Sequence, residues 1–486
     1  MDLLLFIAIV IGCYCILIFF DLFFKSCAHY PYFQFLDGLG MTLSLFTIKW
    51  KTRALNRLLI KWGNLRPQLL TIWFDIGAFC SLTFFFIALY LLLTNTVQIL
   101  STTSEATEPL ITPVMPGITL PITELWYYCI TLLICSVIHE LGHALAAVLE
   151  DVGILEFGCN LYFILPVAYV SLPTDKLSTI SLRKQLRILT AGVWHNIVLC
   201  FIGYLLYCSL PTIFSPFYIY NKGIVVSRVF KQSPLNDPVK GLAVKDLITS
   251  INHCKISSED EWFDYLSNRE NFKPAVCISS ELVHTKDESV PLKHLGGGFV
   301  ECCDSKNSKN ICFELIDIGN NELELPGHVC LPGRTVMEKS TNFCTSSPHS
   351  CPFESYCFRP ILPNNTFLFK ISCNSKDVIF LGHPSDLTRT IEISPYMQKN
   401  NYFPISFPSK TTKFLKYVVI ISLGLAFVNI LPFIFMDGGY VLQIVCLMLL
   451  GKKIEKRRTI QVVNVITWLS TVLFVIYLIY TIRLLL

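Results

Sequence analysis

Long apolar runs, set apart by short polar breaks, dominate the pattern of this chain. Residues 3–24 are almost wholly apolar. With no basic segment before them and a run too long for a signal peptide, they read as an uncleaved membrane anchor. Within 44–66, Leu55, Leu58, Leu59 and Trp62 recur at helical spacing while Lys51, Arg53, Arg57 and Lys61 take the other face. That spacing predicts an amphipathic helix lying on a membrane surface. Residues 69–100 are again apolar, enough for one tilted span or a short pair. Ser, Thr and Pro fill 101–121, an irregular linker. An apolar helix follows to about residue 149. Residues 154–172 are also apolar, but Gly158, Asn160 and Pro166 interrupt them and Phe and Tyr are frequent, which suits strands or a re-entrant loop. A further span covers 186–214, and after the polar stretch 217–413 two apolar segments, 414–450 and 462–486, close the chain.

Composition agrees with a polytopic membrane protein: of 486 residues, 53% are hydrophobic and 15% charged, with mean hydropathy +0.54. The net charge of +4 gives no case for nucleic-acid binding. Of twenty cysteines, ten fall between Cys254 and Cys373, an even count in a polar region that implies disulfides and a lumenal location. Asn364, in the sequon Asn364-Asn365-Thr366, is a candidate glycosylation site there. Two basic stretches, Lys176 to Arg187 and GKKIEKRR at 451–458, read as cytosolic, which again puts 217–413 in the lumen. Within it, GIVVSRVF, SPL, GLAVKDLITSINHCKI and a helix near Glu259 resemble the core of a PDZ domain, interrupted by a cysteine-rich insertion at about 281–373 and resuming at 378–393.

The chemistry lies in the apolar segments. His139, Glu140 and His143 stand in HELGH, among neighbours such as Ile130, Leu132, Val137 and Leu145. Such groups at bilayer depth are expensive and mark function. Two histidines four apart share one helix face and can hold one Zn²⁺, with Glu140 placed to act on water. A catalytic zinc site takes three protein ligands, and Asp437 is the lone acid of 414–450. Gly438 and Gly439 allow close backbone approach there, and Asn429 with Pro432 fits a kinked turn.

HELGH, GVWHN at 192–196, the PDZ-like stretch and NILPFIFMDGG at 429–439 together resemble the site-2 protease family of intramembrane zinc metalloproteases, and the cysteine-rich insertion resembles its animal branch. A long serine run that some animal members carry after the second hydrophobic segment is missing. The resemblance implies His139, His143 and Asp437 as zinc ligands, Glu140 as catalytic base, and Asn196 and Asn429 as groups holding the substrate backbone or oxyanion. It implies one Zn²⁺, a bilayer environment, and single-pass membrane substrates already trimmed on the lumenal side, as in release of membrane-tethered transcription factors in sterol and unfolded-protein signalling. It implies residence in the endoplasmic reticulum or Golgi. On the topology read from the basic stretches, the helix enters from the lumen near residue 122, so His139 lies about 25 Å along it, towards the cytosolic face. The expected fold is a polytopic α-helical membrane protein with an intramembrane metalloprotease core, a re-entrant strand segment and a lumenal PDZ-like β-rich domain. Its expected parts are 1–100 (membrane segments), 101–121 (linker), 122–214 and 414–486 (catalytic core) and 217–413 (lumenal domain). A catalytically inactive PDZ-bearing scaffold is the alternative. A transporter would show inverted hydropathy repeats, which the chain lacks.

Overall fold

The computed structural model describes residues 3–27, 29–101, 112–114, 119–237, 239–252, 254–268, 275–295, 299–304, 310–316, 325–340, 342–344, 351–363, 365–450 and 455–485. The chain divides into two compact units, 1–208 with 413–486, and 209–412.

The first unit opens with α1 (Leu3–Ser26) and α2 (Tyr30–Leu39), then strands β1 (Met41–Ser44) and β2 (Thr47–Thr52), then α3 (Ala54–Gly63). This departs from a continuous amphipathic helix over 44–66. Residues 47–52 form a strand because they pair with a partner far along the chain, Thr47 opposite Tyr162 and Thr52 opposite Phe157. Only α3 keeps the helical repeat, and of its apolar residues Leu59 is the buried one, while Leu58, Ile60 and Trp62 are exposed. The apolar stretch 69–100 is one helix, α4 (Pro67–Ser101). Then come α5 (Leu125–Leu149), the strands β3 (Glu156–Tyr162) and β4 (Leu165–Ser171), the short α6 (Thr174–Thr179) and α7 (Leu182–Phe214). The four strands make one antiparallel sheet in the order β1-β2-β3-β4. Its two turn tips, Phe46 and Phe163, pack around Tyr14 of α1, whose hydroxyl donates to the Phe163 carbonyl at 2.8 Å.

The second unit holds two large sheets and a two-stranded ribbon. β5 (Tyr218–Val229), β6 (Leu247–Ile251), β7 (Cys254–Lys255) and α8 (Glu259–Ser267) lead into β8 (Ala275–Ser279) and α9 (Ser280–Lys286). Next are β9 (Lys293–Leu295), β10 (Phe299–Glu301), β11 (Asn310–Leu315), β12 (His328–Pro332), α10 (Gly333–Lys339), β13 (Phe343–Cys344) and β14 (Ser355–Ile361). The unit ends with β15 (Phe367–Cys373), β16 (Asp377–Gly382), α11 (Pro384–Thr390) and β17 (Ile391–Gln398). One large sheet runs β16-β15-β6-β5-β17, with β7 beside β6, the other runs β12-β11-β14-β8-β13, and β9 and β10 form the ribbon. The first sheet therefore draws strands from both sides of the cysteine-rich stretch, and each large sheet has its own apolar core, one around Trp262 and Phe369 and one around Phe313 and Phe358. Four disulfides, Cys277–Cys351, Cys302–Cys312, Cys303–Cys330 and Cys344–Cys357, fall in the part that builds the second sheet. Cys254 and Cys373 belong to the first sheet and remain thiols, so the even count of ten overstates the bonded set by two. Asn364 lies outside the described residues.

The apolar end of the chain breaks into α12 (Phe407–Ile430), a turn, and α13 (Asp437–Leu450), followed by α14 (Lys456–Leu485). Among the described residues six helices are long and apolar enough to cross a membrane: α1, α4, α5, α7, α12 and α14. Burial separates them, since 56% of the apolar window of α5 is buried against 11% for α1 and for α14. In the first unit α5 is walled in by Phe74 of α4, Ile188 and Ala191 of α7, and Tyr417 and Ile421 of α12. A helix so enclosed can carry polar groups, because protein rather than lipid faces them.

Candidate metal centre

α5 has a single glycine, Gly142, and it sits where α7 comes closest. A Cβ there would lie 2.6 Å from the Ala191 carbonyl oxygen and 2.7 Å from His195 Nδ1. One turn on, Gly192 of α7 leaves the space that the imidazoles fill, for a Cβ at that position would stand 2.6 Å from His139 Nε2. The two glycines let the helices approach at the level of His139 and His143, which the four-residue spacing places on one buried face.

Asp437 arrives from the other end of the chain. The turn between α12 and α13 is braced by the Phe433 N–H on the Leu431 carbonyl (2.7 Å), the Met436 N–H on the Phe433 carbonyl (3.2 Å) and the Ile434 N–H on Thr471 Oγ1 (3.0 Å). Gly438 is required, because a Cβ would run into the carbonyls of Ile430 and Leu431. The turn delivers Asp437 Oδ2 to 3.0 Å from His139 Nε2 and 3.2 Å from His143 Nε2, and the two Nε2 atoms are 3.1 Å apart. Around a tetrahedral ion with bonds near 2.0–2.1 Å, donor atoms stand about 3.3 Å from one another. The triangle has that size, and its chemistry of two imidazoles and a carboxylate suits a divalent cation. His143 Nδ1 lies 2.7 Å from the Ile188 carbonyl oxygen, which can only accept. The Nδ1 position thus carries the proton, and the Nε2 lone pair faces the triangle. These three residues can hold a metal ion.

Glu140 stands next to His139 and its Oε2 accepts the Val170 N–H of β4 at 2.9 Å. One turn earlier Ser136 Oγ accepts the Ala168 N–H at 3.1 Å. Residues 168 and 170 point to the same side of β4, so the edge of the sheet lies along α5 and two side chains of the helix satisfy it. Of the two asparagines, Asn196 is fully buried with Nδ2 3.3 Å from His139 Nδ1. Its Oδ1 is buried without a hydrogen-bond partner among the described residues. Asn429 lies in the last turn of α12, half-buried, and its side chain makes no hydrogen bond among the described residues.

Some contributors carry no residue-type signal: the Ile188 carbonyl and the Val170 and Ala168 N–H groups are backbone. One side-chain cluster did carry a signal. Asp75, the lone acid of 69–100, meets Arg187 through two bonds (2.6 and 2.9 Å), and Arg187 Nη1 reaches Glu150 Oε1 at 2.7 Å. Arg187 precedes Ile188, so this network clamps α4, α5 and α7 beside the His143 contact.

The comparisons with known proteins concur. The family model for Peptidase family M50 matches residues 127–474, well over half of the chain and the full interval from the start of α5 to within α14. The chain is also 23% identical over 439 residues to a membrane-bound transcription factor site-2 protease homolog from Arabidopsis thaliana, covering 81% of this chain and 84% of the relative. With its multi-pass apolar helices and a triad of two buried histidines and a partly buried aspartate able to hold a metal, the chain belongs to Peptidase family M50.

Proposed function

We propose that this protein is an intramembrane zinc metalloprotease that hydrolyses peptide bonds within the transmembrane segments of single-pass membrane proteins. The observation that carries the reading is the convergence of His139, His143 and Asp437 Oδ2, all within about 3 Å of one another, with Glu140 adjacent on a helix enclosed by other apolar helices. Zinc bound there would supply Lewis acidity toward the scissile carbonyl and toward water. Glu140 takes the proton from the attacking water and returns it to the leaving amine, so that one water is consumed per bond cut.

A helical substrate hides its carbonyls, so the segment must be extended at the site. β4 offers an edge for it, but Ala168 and Val170 already donate to Ser136 and Glu140. A substrate carbonyl that takes the Val170 N–H releases Glu140 for its proton transfer, which ties the availability of the base to the presence of substrate. Asn429, half-buried at the end of α12, is our candidate for holding the substrate backbone.

The relative's name speaks of membrane-bound transcription factors, and we carry that substrate class to this chain together with prior trimming on the lumenal side. Four disulfides support a lumenal place for 209–412 in the endoplasmic reticulum or Golgi, where the PDZ-like part would screen incoming substrates by size. Glu140 and all three metal-binding side chains are present, which leaves the inactive-scaffold alternative without support. The test is a trimmed single-pass reporter in cells lacking the endogenous activity. Release of its soluble fragment by the native chain, but not by Glu140→Gln, is the expected result. Equal release from both overturns the proposal.

A further inference from the structure

We infer that Asn196 is a positioning residue for His139: its side-chain oxygen accepts the His139 Nδ1–H and so keeps the Nε2 lone pair turned toward His143 and Asp437. The inference rests on the metalloprotease reading above and assigns Asn196 a different task from contact with substrate.

A neutral imidazole has one N–H and one lone pair, and a ring that binds metal through Nε2 must carry its proton on Nδ1. For His143 the matter is decided by the backbone, because the Ile188 carbonyl at 2.7 Å can only accept. Among the described residues no backbone carbonyl is hydrogen-bonded to His139 Nδ1. The group against its Nδ1 is the Asn196 carboxamide at 3.3 Å. A carboxamide can serve either tautomer. With the nitrogen end toward the ring, Nδ1 must accept, and the proton moves to Nε2, the atom 3.0 Å from Asp437 Oδ2. In that arrangement Oδ1 has no partner among the described residues, and after a half-turn Nδ2 takes the same position, so the choice between the two ends rests on what the ring requires. The two ends of the amide have the same shape, so a half-turn of the group brings Oδ1 to the ring with no change in packing. The proton is then held on Nδ1, and His139 becomes the same kind of donor as His143.

The placement of Asn196 fits holding a ring better than meeting a substrate. The residue is fully buried, and its backbone carbonyl accepts the Ser422 hydroxyl of α12 at 2.9 Å. It sits one turn beyond Gly192, the residue that makes room for both imidazoles. Helix α7 therefore provides a space for the rings and an acceptor behind one of them.

The test is zinc affinity, measured by chelator competition on the full-length chain in detergent, for the native protein and for Asn196→Leu and Asn196→Asp. A lost partner of this kind costs about 10–100-fold in metal affinity. Asn196→Leu is expected to weaken zinc by that factor. Asn196→Asp, whose carboxylate can only accept, should hold zinc at least as tightly as the native chain. A substrate or oxyanion role predicts the reverse pattern: zinc affinity unchanged in both variants, with cleavage lost in both because neither presents the N–H donor. Native-like affinity in Asn196→Leu overturns the inference while leaving the protease reading intact. A native chain that binds no zinc brings down that reading and this inference with it. If Asn196→Leu does not fold, Asn196→Asp decides, and a tenfold loosening there is the overturning result.

Discussion

Replacing Arg187 by Ala should destabilise the membrane unit far more than replacing its neighbour Arg183, although both arginines contact Asp75. The guanidinium of Arg187 is 12% exposed and bridges Asp75 and Glu150, and the Glu150 side chain is 4% exposed. Removing one partner of a buried pair leaves the other charge without compensation, at about 3–5 kcal/mol. Two contacts soften the loss, for Lys184 also reaches Glu150 at 2.9 Å and Arg183 reaches Asp75 at 3.0 Å. We therefore expect a loss at or just below the bottom of that range, roughly 2–3 kcal/mol, for Arg187→Ala. Arg183 is 68% exposed, so its pair is screened by solvent, and Arg183→Ala should cost about 1 kcal/mol or less. At roughly 2 °C per kcal/mol for a unit of this size, the two melting points should differ by about 4 °C in detergent. The triple variant Asp75→Asn, Glu150→Gln, Arg187→Met removes every stranded charge and should recover much of the loss. Equal melting of Arg187→Ala and Arg183→Ala, or a triple variant less stable than Arg187→Ala, would refute the reasoning.

Other expectations follow from the same geometry. Gly192→Ala places a Cβ 2.6 Å from His139 Nε2 and should abolish metal retention, whereas Gly424→Ala, with nothing within 4 Å of its Cβ, should leave metal retention at the native level. Ser136→Ala strands the Ala168 N–H and should lower stability by about 1–3 kcal/mol, read as a drop in melting point that Ser136→Thr at least partly restores. Peptide mapping without reduction should find the Cys277–Cys351, Cys302–Cys312, Cys303–Cys330 and Cys344–Cys357 links and recover Cys254 and Cys373 as thiols. Burial pushes the Cys373 thiol up to about 12. At pH 8 it is protonated, so it should alkylate slowly in the folded protein and quickly once unfolded.

The centre was legible in the sequence because its signals are local or conspicuous by contrast. His139 and His143 declare themselves by a four-residue spacing, and Asp437 by being the lone acid in a long apolar run. The same contrast marks Asp75, yet its partners Arg187 and Glu150 lie in other segments, and a basic stretch read for topology gave no sign of a clamp. Residues 47–52 show why strand content was harder to see. Their partner strand β3 begins over a hundred residues later, and the leucine repeat at 55–62 made the whole stretch look helical. Backbone partners such as the Ile188 carbonyl are invisible to residue type altogether, since any side chain at 188 would supply the same oxygen. The cysteines were readable as a group but not as pairs, because only the division into two large sheets separates the eight bonded residues from Cys254 and Cys373.

The central claim, metal-assisted cleavage inside an apolar segment by Glu140, is tested most directly by mass spectrometry of the fragments that the purified chain makes from a single-pass substrate in lipid nanodiscs. New termini should fall within the apolar stretch of the substrate, vanish with Glu140→Gln and with a chelator, and return when zinc is restored. Termini confined to the polar flanks, or the same fragments from Glu140→Gln, would contradict the account.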